Sequence, residues 1–141
     1  MIIDGTRSND RAIETVLAYY RALNRGDWEG MLALLGQAVL HDVNQGPREV
    51  GRPAFSVYLQ RMHACYHERV RDIVVMASPD GCRAAAEFVI HGEYVADDVG
   101  MPIARGQRYV LPGAAFFELH DGAIQRVSSY ANLRDWIAQL S

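Results

Sequence analysis

Apolar residues recur at the spacing of a helix face in three segments of the first half of the chain. In the first segment these positions are Ile13, Val16, Leu17, Tyr20 and Leu23. Gly26 and Asp27 then supply a helix stop and a new N-cap, and Pro53 lies near the first turn of the third segment. The pattern predicts helices over residues 10–24, 28–35 and 53–66, with a short strand at 39–43 between the second and the third.

Beyond Arg69 the chain changes to short runs with strand character, separated by turn sequences. Ser78-Pro79-Asp80-Gly81 and His120-Asp121-Gly122 are typical of tight turns between paired strands. Strands are predicted at 70–77, 82–95, 104–111, 114–119 and 123–130, followed by a short helix at 133–140. Helices followed by consecutive antiparallel strands predict a single α+β domain over residues 1–141, with three N-terminal helices packed on one face of the sheet.

Length and composition agree with this prediction and exclude several classes of function. The chain has 141 residues, of which 50% are hydrophobic and 22% are charged, as in ordinary globular domains. Its net charge is −3 and its 14 basic residues, all arginine, are scattered, whereas nucleic-acid binding needs a concentrated basic stripe. No apolar run is long enough to cross a membrane, and residues 1–9 lack the features of a signal peptide. We therefore expect a cytoplasmic protein without nucleic-acid or membrane partners.

The order of elements and the segment Tyr19-Tyr20-Arg21-Ala22-Leu23-Asn24-Arg25-Gly26-Asp27 resemble the NTF2-like superfamily, which includes ketosteroid isomerase and the SnoaL-type polyketide cyclases. Three further segments, at 41–51, 104–107 and 130–136, resemble bacterial proteins labelled ketosteroid isomerase-related. The resemblance implies a curved antiparallel sheet that forms a cone, a small organic molecule bound in the cone, no cofactor, and a homodimer. Because many functions share this fold, activity must be argued from the pocket.

The resemblance also suggests roles for particular positions. The tyrosine that donates a hydrogen bond to the developing enolate oxygen falls on Tyr19, whereas the carboxylate base falls on Val43 and the protonated acid on Ala115. Asp42 precedes the base position by one residue, so it would face the cavity only if the strand bulges or slips. The other interpretation of Asp42 is that it fixes the loop that follows it through local hydrogen bonds.

Alternation along the predicted strands supplies the other candidates. By resemblance, the sheet face that carries Glu87, His91 and Glu93 lines the cavity, and His41 joins it from the first strand. The candidate catalytic residues, which can donate or accept a proton, are Tyr19, His41, Asp42, Glu87 and His91. The candidate binding residues, which supply polar contacts or apolar wall, are Glu93, Arg105, Gln107, Tyr109, Tyr58 and Phe117.

Two other interpretations of the polar strand face remain open. One face of an antiparallel sheet is often wet, so Glu87, His91 and Glu93 could instead lie in solvent or in a dimer contact. His41, Glu87 and His91 would also suit a metal site with two histidines and one carboxylate, but no tight motif supports one and no metal is expected.

Taken together, these residues predict a SnoaL-like, ketosteroid isomerase-related enzyme that uses cofactor-free acid–base chemistry in a hydrophobic, cone-shaped pocket. The reaction would be of the isomerase, cyclase or dehydratase type, because a tyrosine donor with histidine and glutamate residues suits proton removal beside a carbonyl. The alternative is a non-catalytic ligand-binding or dimerisation module of the same fold. The sequence leaves open whether the protein is an enzyme.

Overall fold

The fold is described by a computed structural model that covers residues 5–141, with side chains from residue 8 onward. Residues 1–4, which belong to the segment where the sequence analysis expects no signal peptide, lie outside the described residues. The helices are α1 (Gly5–Arg25), α2 (Trp28–Ala33), α3 (Arg52–Cys65) and α4 (Leu133–Leu140). The strands are β1 (Leu35–Val43), β2 (Glu49–Val50), β3 (Tyr66–Ala77), β4 (Arg83–Tyr94), β5 (Arg108–His120) and β6 (Ala123–Ala131).

Local capping explains where the helices begin. The carboxylate of Asp27 accepts a hydrogen bond from the backbone N–H of Gly30 at 2.9 Å, which caps α2 as the sequence predicts. Before α3 the chain turns at Gly51, whose φ of +98° favours glycine, and Pro53 lies in the first turn. The side chain of Asn132 caps α4 by accepting from the backbone N–H of Asp135.

The six strands form one curved, unclosed sheet in the order β2-β1-β6-β5-β4-β3. All neighbouring pairs are antiparallel except β1 and β6, which run parallel, so the prediction of an entirely antiparallel sheet is wrong at this pair. The reason is the long connection: β1 precedes α3 and three antiparallel strands, and a connection of this length lets β6 return beside β1 in the same direction.

The predicted break between the strands at 104–111 and 114–119 is also wrong, because β5 runs through Pro112 and Gly113. The side chain of Gln139, on α4, bonds both the N–H and the C=O of Val110, so these groups point away from β4. Pro112, two residues further on, points the same way, and β6 pairs with β5 only from Gly113 onward. The missing proline N–H therefore breaks no strand pairing.

The core lies between the concave face of the sheet and the helices. Buried residues on α1 include Val16, Tyr19 and Tyr20, which pack against inward-facing residues of β4 and β5 such as Phe88 and Phe117. A second cluster, around Tyr66, Tyr94, Tyr109, Leu111 and Leu140, fills the end of the sheet that α4 covers. The space between the two clusters is incompletely filled, and it contains the candidate site. None of the helices in residues 5–141 combines the length and apolar character needed to cross a bilayer.

Candidate functional site

A cavity of about 1150 Å³ opens between the concave face of the sheet and helices α1 and α3. Its size exceeds that of most small-molecule sites, which range from about 300 to 1,000 Å³. Aromatic and aliphatic side chains form most of its inner wall, among them Tyr20, Leu23, Trp28, Tyr58, Met62, Phe88, Ile90, Leu111 and Trp136. A few polar groups interrupt this apolar wall, and these determine what the site can do chemically.

Glu68 is the acidic group on the inner wall of the cavity. It lies on β3 between Tyr66 and Val70, two buried residues that face the same side of the strand. Burial raises the pKa of the Glu68 carboxyl, and the Tyr109 hydroxyl, which donates a hydrogen bond to its Oε2 atom, offsets part of that rise. A carboxyl group whose pKa is raised in an apolar cavity is suited to accept and return a proton.

His41 lies on β1 and is buried against two rings of α3. Its imidazole stacks on Phe55 with ring centroids 4.2 Å apart and meets the edge of Tyr58 at 4.6 Å. Burial lowers the pKa of His41 to about 4, although the nearby Asp42 charge acts in the opposite direction. The ring is therefore neutral at physiological pH, and its buried Nδ1 atom has no hydrogen-bond partner among the described residues.

Tyr19 and Tyr58 bring two phenol groups to the cavity wall from α1 and α3. Burial raises the pKa of both hydroxyls, so both remain protonated donors. Within the part of the chain that the structure describes, neither hydroxyl forms a hydrogen bond with another side chain. Both are therefore available to a bound oxygen atom, and such a contact is the role that the family resemblance implies for Tyr19.

A second acidic residue, Asp98, lies at the rim of the cavity, in the loop between β4 and β5. Its carboxylate accepts a hydrogen bond from the Tyr66 hydroxyl at 2.8 Å and forms an ion pair with Arg61 at 3.1 Å. The Tyr94 hydroxyl accepts from the Asp98 backbone N–H and donates to the carbonyl of Pro102. These bonds connect the loop to α3 and to the sheet.

Asp42 does not reach the cavity. The irregularity in the pairing of β1 lies between Leu35 and Leu40, so the strand is regular at Asp42, whose side chain points away from that of His41. The carboxylate forms an ion pair with Arg48 at 2.8 Å and accepts a hydrogen bond from Ser128 at 2.6 Å, and these partners lower its pKa to about 2. This environment fits the structural interpretation of Asp42 and gives it no access to a ligand in the cone.

The predicted placement of Glu87, His91 and Glu93 on the cavity face of β4 is wrong. The buried positions of this strand include Ala84, Ala86, Phe88 and Tyr94, so the even-numbered side chains face inward. Glu87 and His91 are exposed on the outer face of the sheet, and Glu93 lies on the same face. His91 and Glu93 border the cavity, but their side chains belong to the opposite side of the sheet. Because His41 is inside and Glu87 and His91 are outside, these three residues cannot ligate one metal ion.

Three predicted binding residues also lie elsewhere. The Arg105 guanidinium donates to the backbone carbonyls of Leu140 and Ser141, and the Gln107 amide donates to those of Ile103 and Leu140. Both residues precede β5, so strand alternation does not apply to them, and they hold the loop against α4. Phe117 is fully buried beneath Tyr19, with ring centroids 5.8 Å apart, and is core rather than cavity wall. Tyr109 and Tyr58 do line the cavity.

The sequence prediction missed Glu68 because it placed the start of the strand that is β3 at Val70. The strand begins four residues earlier, at Tyr66, directly after α3. The alternation of Tyr66, Glu68 and Val70 was the available signal, since it gives Glu68 the same orientation as two apolar neighbours. Within residues 5–141 no group of three or more His, Cys, Asp or Glu side chains is arranged to hold a metal ion.

Comparison with known proteins identifies the family. The model of the SnoaL-like domain matches residues 16–127. A candidate polyketide cyclase from Xanthomonas campestris pv. campestris is 57% identical, with 95% of this chain and 99% of that chain covered and a TM-score of 0.93. A second candidate polyketide cyclase, from Pseudomonas putida KT2440, is 54% identical, with 92% and 98% covered and a TM-score of 0.91. No protein of curated function matches the chain. The chain therefore belongs to the SnoaL-like domain family and has the NTF2-like fold.

Proposed function

We propose that this protein is an acid–base enzyme that moves a proton on a small organic carbonyl compound, with Glu68 as the group that takes and returns the proton. The observation that carries the proposal is the position of Glu68, a carboxyl group with a raised pKa on the wall of a large apolar cavity. Titratable groups in this kind of environment are typical of catalytic sites.

The cavity contains the parts that such a reaction needs. The Glu68 carboxylate takes a proton from the carbon beside the carbonyl, and the electron pair of the broken C–H bond forms the C=C bond of an enolate. The hydroxyls of Tyr19 and Tyr58 are free to donate hydrogen bonds to the negative oxygen. Neutral His41 beside Tyr58 adds a polar contact without adding a charge.

The fate of the enolate decides the reaction type. Return of the proton from Glu68 to a different carbon completes an isomerisation. Attack of the enolate carbon on a second carbonyl of the same molecule forms a C–C bond, and the new alkoxide then takes the proton from Glu68, which completes a cyclisation. The relatives from Xanthomonas and Pseudomonas are described as candidate polyketide cyclases, and this favours the second outcome.

Proton transfer can be tested without the natural substrate. The probe is 2-tetralone, a neutral bicyclic ketone, whose α-protons exchange with D₂O after enolisation and are followed by ¹H NMR. We expect the protein to accelerate exchange, and we expect Glu68→Gln to lower the rate about 100-fold or more, as for other general bases. Glu87→Gln is the matched control, because Glu87 is exposed on the outer face of the sheet.

An equal loss in both variants, or no loss in Glu68→Gln, would contradict the proposal. Saturable binding of 2-tetralone, measured by quenching of tryptophan fluorescence, with no acceleration of exchange would instead support a non-catalytic ligand-binding module. Trp28 and Trp136 both line the cavity and report on such binding.

We also propose that two copies of the chain associate through the outer face of the sheet. The resemblance to NTF2-like proteins implies a homodimer, and this face carries exposed apolar side chains, including Val74, Met76, Val110, Phe116 and Tyr130. The cavity lies on the opposite, concave face, so such association would leave it open to a ligand.

A further inference from the structure

Glu68, Gly92 and Tyr109 lie in one row across three neighbouring strands. In the sheet register Glu68 of β3 is opposite Gly92 of β4, and Gly92 is opposite Tyr109 of β5. All three line the cavity. Because neighbouring strands are about 4.8 Å apart, the backbones of Glu68 and Tyr109 are separated by about 10 Å, with β4 between them.

The Tyr109 side chain crosses β4 over Gly92 to reach Glu68. A Cβ atom built on Gly92 would overlap the Cζ, Cε2 and Oη atoms of the Tyr109 ring. The same ring donates its hydroxyl proton to Glu68 Oε2. Any side chain at position 92 would therefore occupy the space through which the two residues meet.

No feature of the backbone accounts for a glycine at this position. Glycine inside a strand weakens it, and it typically marks a bulge, a bend or the close approach of another group. The pairing of β4 with β5 runs without interruption from Arg83 to Glu93, and the φ angle of Gly92 is not positive. Of these three features, the one present at Gly92 is the close approach of the Tyr109 ring.

We propose that Gly92 is a positioning residue of the site, because its missing side chain allows the Tyr109 hydroxyl to bind and orient the Glu68 carboxyl group. The chemical role of this arrangement rests on the proposed function of Glu68. With Oε2 held by Tyr109, the other carboxyl oxygen, Oε1, is the one left to exchange a proton with a ligand. Gly92 itself contacts no reacting atom and acts through Tyr109.

The test is a titration of the Glu68 carboxyl carbon by NMR in protein labelled with ¹³C-glutamate, with the signal assigned by its loss in Glu68→Gln. The Tyr109 hydrogen bond lowers the pKa of Glu68, so its removal in Tyr109→Phe is expected to move the titration midpoint upward. Gly92→Ala is expected to produce an upward shift of equal size, because the displaced ring can no longer donate. In the double variant Gly92→Ala/Tyr109→Phe, no shift beyond that of the single variants is expected.

The control is Gly113→Ala, which introduces a methyl group against Phe88 in the same sheet, with its nearest contact at 2.7 Å, and does not meet Tyr109. It is expected to leave the Glu68 midpoint unchanged. The Glu68 charge also contributes to the raised pKa of Tyr58 on α3, and all these variants retain Tyr58. An unchanged midpoint in Gly92→Ala beside a shifted one in Tyr109→Phe would overturn the proposal.

If Gly92→Ala does not fold, a second variant still tests the proposal. The double variant Gly92→Ala/Tyr109→Leu removes the ring that the new methyl group meets, and it is expected to fold. An unfolded double variant would overturn the proposal, since the conflict would then lie elsewhere. The titration does not depend on turnover, so a protein that fails to exchange 2-tetralone would contradict the proposed function while leaving this result intact.

Discussion

The imidazole of His41 lies nearly parallel to the ring of Phe55, at an interplanar angle of 27° and a centroid distance of 4.2 Å. The stack covers one face of a histidine that is only 4% exposed, and the Tyr58 ring packs against it edge to face. An imidazolium ion in this position would lose its hydration without gaining a carboxylate partner inside the cavity, because Asp42 points the other way. The fold thus depends on a neutral His41.

Acid should therefore destabilise the protein through His41. The pKa of this group is lowered to about 4 in the folded state, against 6.5 when unfolded, so the unfolded state binds more protons between these values. Stability falls as pH falls through this window. Between pH 7 and pH 5 the loss attributable to His41 is about 2 kcal/mol.

Urea unfolding of the wild type and of His41→Phe at both pH values measures this loss. The variant keeps an aromatic ring against Phe55, but this ring cannot titrate. Between pH 7 and pH 5 the free energy of unfolding should therefore fall by about 2 kcal/mol less in the variant than in the wild type. Glu68, whose raised pKa acts in the opposite direction, is present in both proteins and cancels in the difference. His120→Gln, at an exposed turn, is the control and should behave like the wild type. Equal acid sensitivity of wild type and His41→Phe would contradict this dependence on a neutral His41.

The two free phenol groups should each contribute to catalysis of proton exchange. Tyr58→Phe and Tyr19→Phe remove one donor apiece from the cavity wall while keeping the ring, so the fold is expected to persist. Loss of one oxyanion donor typically lowers the rate about 100- to 1,000-fold. The exchange of 2-tetralone measures this effect, and Glu87→Gln, on the outer face of the sheet, is again the control. Retention of full activity in both cavity variants would remove the oxyanion role from these residues.

Apolar burial predicted the fold more reliably than polar chemistry predicted the site. The helical spacing around Val16 and Tyr20 identified the buried face of α1, because a helix of this length must bury an apolar stripe. In β4 the same rule favours the face of Phe88 and Ile90, but the resemblance led to the other face. A strand alternates strictly, so this one choice of face placed Glu87, His91 and Glu93 in the cavity together, and all three predictions failed together.

Glu68 illustrates a different limit of sequence reasoning. Its environment depends on Tyr109, more than 40 positions away, and on the absence of a side chain at Gly92 between them. Local periodicity can orient a side chain, but it cannot show which residue of a distant strand will lie beside it. The parallel pairing of β1 with β6 was hidden for the same reason, since it depends on the path of the chain between them.

The loop at the cavity rim should open when Asp98 is removed. Asp98→Ala breaks the ion pair with Arg61 and leaves the buried Tyr66 hydroxyl without its acceptor. An unsatisfied buried donor costs about 1–3 kcal/mol, so the free energy of unfolding should fall by that amount. Limited proteolysis with trypsin should then cleave faster after Arg105, an exposed residue of the same loop. Asp121→Ala, in an exposed turn, should change neither measurement, and slow cleavage in both variants would contradict the role given to Asp98.

The outer face of the sheet should hold two copies of the chain together. Phe116 and Tyr130 are 46% and 39% exposed there, and their rings meet edge to face at 5.9 Å. Light scattering should give a mass twice the 15.7 kDa of one chain. Phe116→Asp places a charge within this apolar patch, whose burial without a partner is unfavourable, so the mass should fall to that of one chain.

Val57→Asp provides the comparison that locates the contact. Val57 is 64% exposed on α3, on the helical side of the molecule, so a charge there leaves the outer sheet face unchanged. This variant should retain the doubled mass. Dissociation by Val57→Asp and not by Phe116→Asp would move the contact to the helices, and a wild-type mass of one chain would exclude association altogether. Because the cavity opens on the concave side, dissociation through Phe116→Asp should also leave the exchange of 2-tetralone unchanged.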